Sequence, residues 1–140
     1  MLKANFITAQ EAAEKIQDGS TLCTIGMTLV SASESILKAI EKRFETVGHP
    51  ADITLVHSCG QSDRKDGIQH LAHEGLVKRI VGSHWGLQPR WMEMIANSQV
   101  EAYCLPQGQI AQLYRSMACG LPGKMSKVGL GTFIDPRVEG

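Results

Sequence analysis

Between a short alternating run and a helical run stands Pro106-Gln107-Gly108, a place where an amide side chain could do chemistry. The carboxamide N–H₂ of Gln107 can donate to an oxygen that gains negative charge, which is the task of an oxyanion hole. A Gln at the second helical position also often just faces solvent, and the residues alone leave these two readings level. Five histidines fall between His49 and His84 and invite a metal site. The nearest pair, His70 and His73, is spaced i, i+3 with Glu74 following, unlike H-E-x-x-H, where two ligands one turn apart flank a general base. No cysteine or carboxylate completes the ligand set in sequence, so structural or surface histidines and no metal are expected.

Four cysteines, Cys23, Cys59, Cys104 and Cys119, are widely spaced with no C-x-x-C pair. Without a secretory signal they are expected to be reduced, with Cys23 and Cys104 packing as small hydrophobes inside apolar strands. Gly26 ends a strand before a helix, where a dinucleotide fingerprint would need G-x-G-x-x-G and only the first glycine exists. A tight turn explains Gly26 equally well. Gly129 and Gly131 in VGLGT would let backbone come close to a ligand, or would only make a turn. Trp85 and Trp91 could stack on an adenine, but core or interface packing is the commoner use of such rings.

The elements that must position these residues alternate. Thr8-Ala9-Gln10-Glu11 is a capping box opening a helix that Asp18-Gly19 ends. Ser20 to Gly26 reads as a buried strand. Ser31-Ala32-Ser33-Glu34 is a second box, opening a helix with Ile36, Leu37, Ile40 and Phe44 on one face and a stop near Gly48. Asp52 to Ser58 is the next strand, Gly60 to Gly67 a charged surface loop, and His70 to Lys78 one or two helical turns. A strand at Arg79 to His84 and a helix at Arg90 to Asn97 follow. Val100, Ala102 and Cys104 then alternate with Glu101 and Tyr103 as a strand. Pro106 suits the first turn of a helix, along which Ile110, Leu113, Tyr114 and Met117 recur at helical spacing. About four such alternations imply an α/β fold, an open, mainly parallel sheet flanked by helices. In such sheets the strand-to-helix turns lie at the carboxyl edge, where ligands bind. Residues 121–140 form a Gly/Pro-rich loop region with little regular pattern, and the sheet looks incomplete there. The expectation is a single domain fragment, 1–140, leading into an absent remainder.

A chain of 140 residues with 43% hydrophobic and 20% charged residues is an ordinary globular composition. Lys plus Arg equals Asp plus Glu at 14 each, so no basic field points to nucleic acid or an anionic membrane. The start lacks the apolar core of a signal peptide, and no run approaches the ~18 apolar residues of a span. A cytoplasmic location is expected.

Three separated motifs, GQSDRKDGIQHLAHEGLVKRIVGSHWG, AYCLPQG and VGLGTFIDPRVEG, resemble the family I CoA-transferases, in the order that family has them. The subgroup they resemble most is the single-chain acetate/propionate (short-chain acyl) CoA-transferases, and the likeness runs from about Ile7 onward. The resemblance implies the N-terminal (alpha) half of an enzyme that moves CoA from a thioester to a carboxylate. A glutamate of the second half would be the nucleophile, and no residue here corresponds to it, so this chain alone should be inactive. The family's P-Q-G glutamine falls on Gln107, implying oxyanion support. Gly26, Met27, Gly60, Gln61, Gly108, Gly129 and Gly131 fall on pocket positions. Met27-Thr28-Leu29-Val30 departs from the small residues usual after the first strand and should narrow the approach there. The implied ligands are acyl-CoA and a short-chain carboxylate, with CoA as substrate and no other cofactor. The implied partners are a beta half or subunit and a further copy in a homo-oligomer. Two other readings stay open: a truncated remnant that folds and self-associates, and a small-molecule-binding module of sugar-phosphate-isomerase type.

Overall fold

The structure, a computed structural model, describes residues 4–138. Met1–Lys3 and the last two residues of the VGLGTFIDPRVEG motif, Glu139 and Gly140, lie outside it. The Thr8 box forms as expected: Thr8 Oγ1 accepts from Glu11 N at 3.2 Å while Thr8 N donates to Glu11 Oε2 at 2.7 Å. It opens α1 (Ala9–Glu14), which leads to β1 (Thr21–Thr24). Helix α2 (Glu34–Val47) then packs on α1, held by Arg43 Nη1 donating to Ala13 O and Ile16 O at 2.7 and 2.8 Å.

The second capping box does not form. Ser31 is left-handed with φ 62, and the helix is capped from Ser33 with no side-chain bond. The reason is tertiary. Glu34, which would have closed the box, instead takes the Gly67 N–H at 2.9 Å and His70 Nε2 at 2.8 Å.

Strand β2 (Ile53–His57) is followed by a 3-10 helix (Gly67–Leu71), β3 (Val77–Gly82), α3 (Pro89–Ala96), β4 (Glu101–Cys104) and α4 (Gln107–Ala118). The helical stretch expected at His70–Lys78 is therefore shorter and earlier, and β3 begins before Arg79. All neighbouring strands are parallel, in the order β1-β2-β3-β4. Each parallel pair needs a crossover, so α2, the 3-10 helix and α3 lie between strands in the chain. They share in one core, where Leu37, Ile40, Leu55, Ile68, Ile80 and Trp91 are buried. Trp91 is a core residue, its Nε1 donating to Ile68 O at 2.9 Å.

The loop expected at the surface is in part an interior segment. Gly60, Gln61 and Ser62 are buried and only Asp63, Arg64 and Lys65 are exposed. Its backbone polar groups find tertiary acceptors and donors, which charge and missing periodicity in the sequence do not register. The cysteine expectation also needs correcting: Cys23 is exposed and Cys104 only half-buried, although all four described cysteines are free. Cys23 lies on the sheet face opposite the main core. That face carries exposed Tyr103 and the Arg79–Glu101 ion pair at 2.7 Å. Among the described residues, no helix is long and apolar enough to cross a membrane.

Two histidines carry opposite pH dependences. His57 is fully buried, and burial pushes its pKa down to about 4 despite the bond from Nδ1 to the Cys59 carbonyl. Burial would also lower His70, but its bonds to Glu41 and Glu34 outweigh that and raise it. A depressed histidine binds its proton more readily in the unfolded chain. His57 therefore contributes on the order of 3 kcal/mol that is present above pH ~6.5 and lost as pH falls towards 4. His70 contributes stability below its ordinary value that is lost as pH rises through its raised one. Urea unfolding across pH should accordingly show a maximum, and His70→Asn should flatten the alkaline limb while leaving the acid limb in place. Gly82 lies under the His57 ring, and a Cβ there would collide with ring atoms. Gly82→Ala should lower the unfolding free energy by about 1–3 kcal/mol, read from the urea midpoint.

Candidate active site at the carboxyl edge of the sheet

Because the strands are parallel, their carboxyl ends reach one edge together. From β1 the chain turns at Gly26, whose φ is 149 and whose Cβ would come within 2.9 Å of Val30 O. The turn closes with Met27 N on Val30 O at 3.1 Å and Val30 N on Met27 O at 2.9 Å. Its tip leans on the loop after β2, since Thr28 N donates to Gly60 O at 2.8 Å. Met27 itself stays open, 63% exposed.

Gln61 is the tie between neighbouring elements. Its Nε2 donates to Thr24 O at 2.9 Å, and its carbonyl accepts from Ile68 N at 2.9 Å. With the Gln88 amide in the orientation that satisfies both its ends, Gln88 accepts from Gln61 N at 3.0 Å and donates to His84 O at 2.7 Å. Gln61 has no exposed surface. It braces the ends of β1, β2 and β3, and its side chain does not face solvent.

At the far side of the sheet, β4 leads through Leu105, whose N–H donates to Gly82 O at 2.8 Å, into Pro106 and α4. Pro106 caps the helix with extended backbone (φ −57, ψ 129) and no side-chain bond. The first N–H groups of such a helix have no partner within it, and they stand beside Gln107, which is exposed at its first position. A Cβ added to Gly108 would meet open space. Helix α4 then returns along the second sheet face, where Tyr114 Oη lies 3.2 Å from both Thr24 O and Val56 O. Burial pushes the Tyr114 hydroxyl up to about 12, so it stays protonated and donates.

Opposite the start of α4 lies a cleft of about 420 Å³, lined on one side by Leu105, Pro106, Gln109 and Leu113 and on the other by parts of 124–136. Gly129 is packed there so closely that a Cβ would collide with Ile134. Gly131 N donates to Asp135 Oδ2 at 2.7 Å, and Arg137 grips the same carboxylate through Nε at 2.9 Å and Nη2 at 2.6 Å. The Arg137 guanidinium and the backbone N–H groups of Gly131 and Arg137 hold the Asp135 carboxyl well below the usual range.

The expected site residues thus fall into two groups. Gln107 and Gly108 stand in the first turn of α4 after β4, Gly129 lines the cleft that faces Pro106 and Gln109, and Gly131 lies on the same loop as Gly129 without lining that cleft. Gly26, Met27, Gly60 and Gln61 gather at the ends of β1 and β2. With strands ~4.8 Å apart, three spacings set the β1 and β4 ends ~14 Å apart along the edge.

Sequence reasoning missed His57, Tyr114 and Asp135. The Asp-Pro-Arg turn was the one visible signal for Asp135. Carboxylates do join the histidines, contrary to the expectation from sequence spacing. Ligand-type atoms of Glu34, Asp66 and His70 lie within 4.8 Å of one another, as do those of Glu41, Glu45 and His73. The carboxylates come largely from α2, some thirty residues upstream, so local spacing hid them. Here Glu34, Asp66 and Glu41 are engaged with the histidines, with Lys38 and with Arg90.

Residues 6–139 match the family model described as Coenzyme A transferase. The chain is 41% identical over 138 residues to a caffeate CoA-transferase of Acetobacterium woodii, covering 98% of this chain and 26% of that protein. It is 37% identical over 136 residues to the acetate CoA-transferase YdiF of Escherichia coli K12, covering 96% of this chain and 26% of that protein. A crystal structure of the acyl-CoA transferase YdiF of E. coli O157:H7, as a thioester complex with CoA, has a TM-score of 0.87 at 35% identity. It covers 94% of this chain and 28% of that one. The chain spans about a quarter of the length of these relatives. A carboxyl edge built this way, on residues that match over nearly the whole chain, shows that the protein belongs to the coenzyme A transferase family.

Proposed function

We propose that this chain is the alpha part of a short-chain acyl-CoA:carboxylate CoA-transferase, supplying the oxyanion side of a site whose nucleophilic glutamate belongs to a second half. The observation that carries the reading is Gln107, exposed on the first turn of α4 beside helix N–H groups that have no partner within the helix. Similarity over a quarter of relatives that are acetate and caffeate CoA-transferases supports the division of labour.

In this chemistry a carboxylate oxygen attacks the thioester carbonyl carbon, and the carbonyl oxygen takes up negative charge. The C–S bond then breaks, the CoA thiolate leaves and a mixed anhydride remains. Thiolate attack on the enzyme's own carbonyl releases the acyl group as a carboxylate and leaves CoA on the glutamate. Reversal with an acceptor acid completes transfer. The Gln107 amide donates to the oxygen at the two points where charge collects. The positive end of α4 acts in the same direction. Gly26, Met27 and Gly60 form the approach on the β1 side, and Gly108, Gly129 and Gly131 that on the β4 side. Gln61 holds the first of these loops in place from inside. The partners on this reading are a beta half or subunit, acyl-CoA and a small carboxylate.

The chain alone, mixed with acetyl-CoA and propionate, should show no transfer. Adding the complementary part of a relative such as YdiF should restore it, and turnover without that addition would overturn the division of labour. In the restored enzyme, Gln107→Ala should cut kcat about 10²–10³-fold with little change in KM, as loss of one oxyanion donor does. A fall in KM-limited binding with kcat intact would remove Gln107 from the chemistry.

A further inference from the structure

Gln107 is exposed, and a Cβ on neighbouring Gly108 would meet open space. The direction of its amide is therefore inherited from the helix that carries it. Ties that set how α4 lies on the sheet include Leu105 N on Gly82 O at 2.8 Å, the fully buried side chain of Ile110 and the Tyr114 hydroxyl. Among the described residues, Tyr114 alone supplies side-chain hydrogen bonds from α4 to the strands. Its Oη stands 3.2 Å from Thr24 O at the end of β1 and 3.2 Å from Val56 O near the end of β2. One proton is shared between two carbonyls, so neither distance is the ~2.7–2.8 Å of a single O–H···O bond.

We propose that Tyr114 is a positioning residue for Gln107, its hydroxyl fixing the rotation of α4 against the carboxyl ends of β1 and β2. The proposal rests on the CoA-transferase reading for what Gln107 does, and on the bonds of Tyr114 for how it is placed. The two residues are seven apart in the chain, which puts them about 10 Å apart along the axis and within about 20° around it. Turning the helix thus moves both side chains through the same angle. Side chains reach ~5 Å from a helix axis, so a turn of about 10° displaces the amide by ~1 Å, enough to cost up to about 10²-fold in rate. Ile110 does not resist such a turn by itself, because apolar contact is non-directional. A hydrogen bond is directional and weakens steeply off its line. Thr24 O also accepts from Gln61 Nε2 at 2.9 Å. The loop after β2 and the helix of Gln107 are therefore referred to one carbonyl, two residues before Gly26.

Tyr114→Phe removes the hydroxyl and keeps the ring, and Thr24 O retains Gln61, so the chain should stay folded. In the enzyme restored with the complementary part of YdiF, Tyr114→Phe should cut kcat at least about tenfold with little change in KM. Placed on top of Gln107→Ala, it should cut kcat less than about twofold further, because the group it positions is already gone. A role in general stability would give the same loss in both backgrounds, and that result, or an intact kcat in Tyr114→Phe, would overturn the proposal. In the chain alone, N–H residual dipolar couplings of residues 107–118 should depart from their values in the unaltered chain while those of β2 and β3 keep theirs. An α4 that holds its orientation without the hydroxyl would also overturn it. Full kcat in Gln107→Ala is a different failure. It would remove the oxyanion role from the proposed function, while the couplings still decide whether Tyr114 sets the helix.

Discussion

A single buried amide holds the ends of the strands in line. Gln61 bonds through its side chain to Thr24 at the end of β1, through its carbonyl to Ile68, and through its N–H to Gln88 next to the β3 end. Inside a protein an unpaired amide costs about 1–3 kcal/mol, whereas a paired one contributes modestly. Gln61 Oε1 has no partner among the described residues, so its interior position depends on the bonds that its side-chain Nε2 and its backbone do make, and these hold only while all three neighbours stay in register. That condition couples the first three strand ends to one another. The turn at Gly26 is coupled in its own way, through Thr28 on Gly60. The loops that would meet a ligand on the β1 side are thus set from beneath, by groups a ligand does not reach.

A second layer fixes the 3-10 helix that Gln61 depends on. His70 lies between Glu41 and Glu34, His73 shares Glu41, and Lys38 joins Glu34 to Asp66. Half-buried ion pairs of this kind add little net stability, because desolvation offsets attraction. Their effect is positional. Glu34 also takes the Gly67 N–H, so the start of the 3-10 helix is held against α2, and Ile68 is thereby presented to Gln61. The same carboxylate that fails to close a capping box serves here as a tertiary anchor. One lost local bond is exchanged for two long-range ones.

This exchange marks the limit of what the sequence discloses. Periodicity and punctuation locate β2, α2, α3, β4 and α4 well, because each depends on a local pattern: Pro106 before Gln107, Gly48 at the end of α2, apolar residues one turn apart. The parallel α/β arrangement follows from alternation alone. What stays hidden are the contacts whose members lie far apart in the chain. Thr8 and Ser31 begin the same four-residue signature, yet only the first box forms, since among the described residues no other hydrogen bond takes Glu11 while Gly67 and His70 compete for Glu34. Cys23 sits in an apolar run but on the sheet face away from the main core, and no pattern four residues long could assign that face. Gln61 reads as a surface residue by its neighbours' charge and is buried by its hydrogen bonds. The oxyanion role of Gln107 came from family likeness alone, since the residues themselves left it level between solvent and oxyanion, and an exposed position at the start of α4 fits either.

The two halves of the edge differ in how they are built, and this bears on what each can do. On the β1 side the positions are fixed by buried hydrogen bonds, and the exposed side chain is the bulky Met27. On the β4 side the walls are largely apolar side chains, with buried Asp135 in the second wall held by Arg137 from outside it. Hydrogen-bonded turns tolerate little displacement, because a shifted donor loses its acceptor. Apolar walls tolerate a change of side-chain volume at modest cost when the loop carrying them is exposed. A change of side-chain volume is therefore most easily accommodated at exposed Leu130. Variation on the other side must pass through Gln61, where any change is felt by three strands at once.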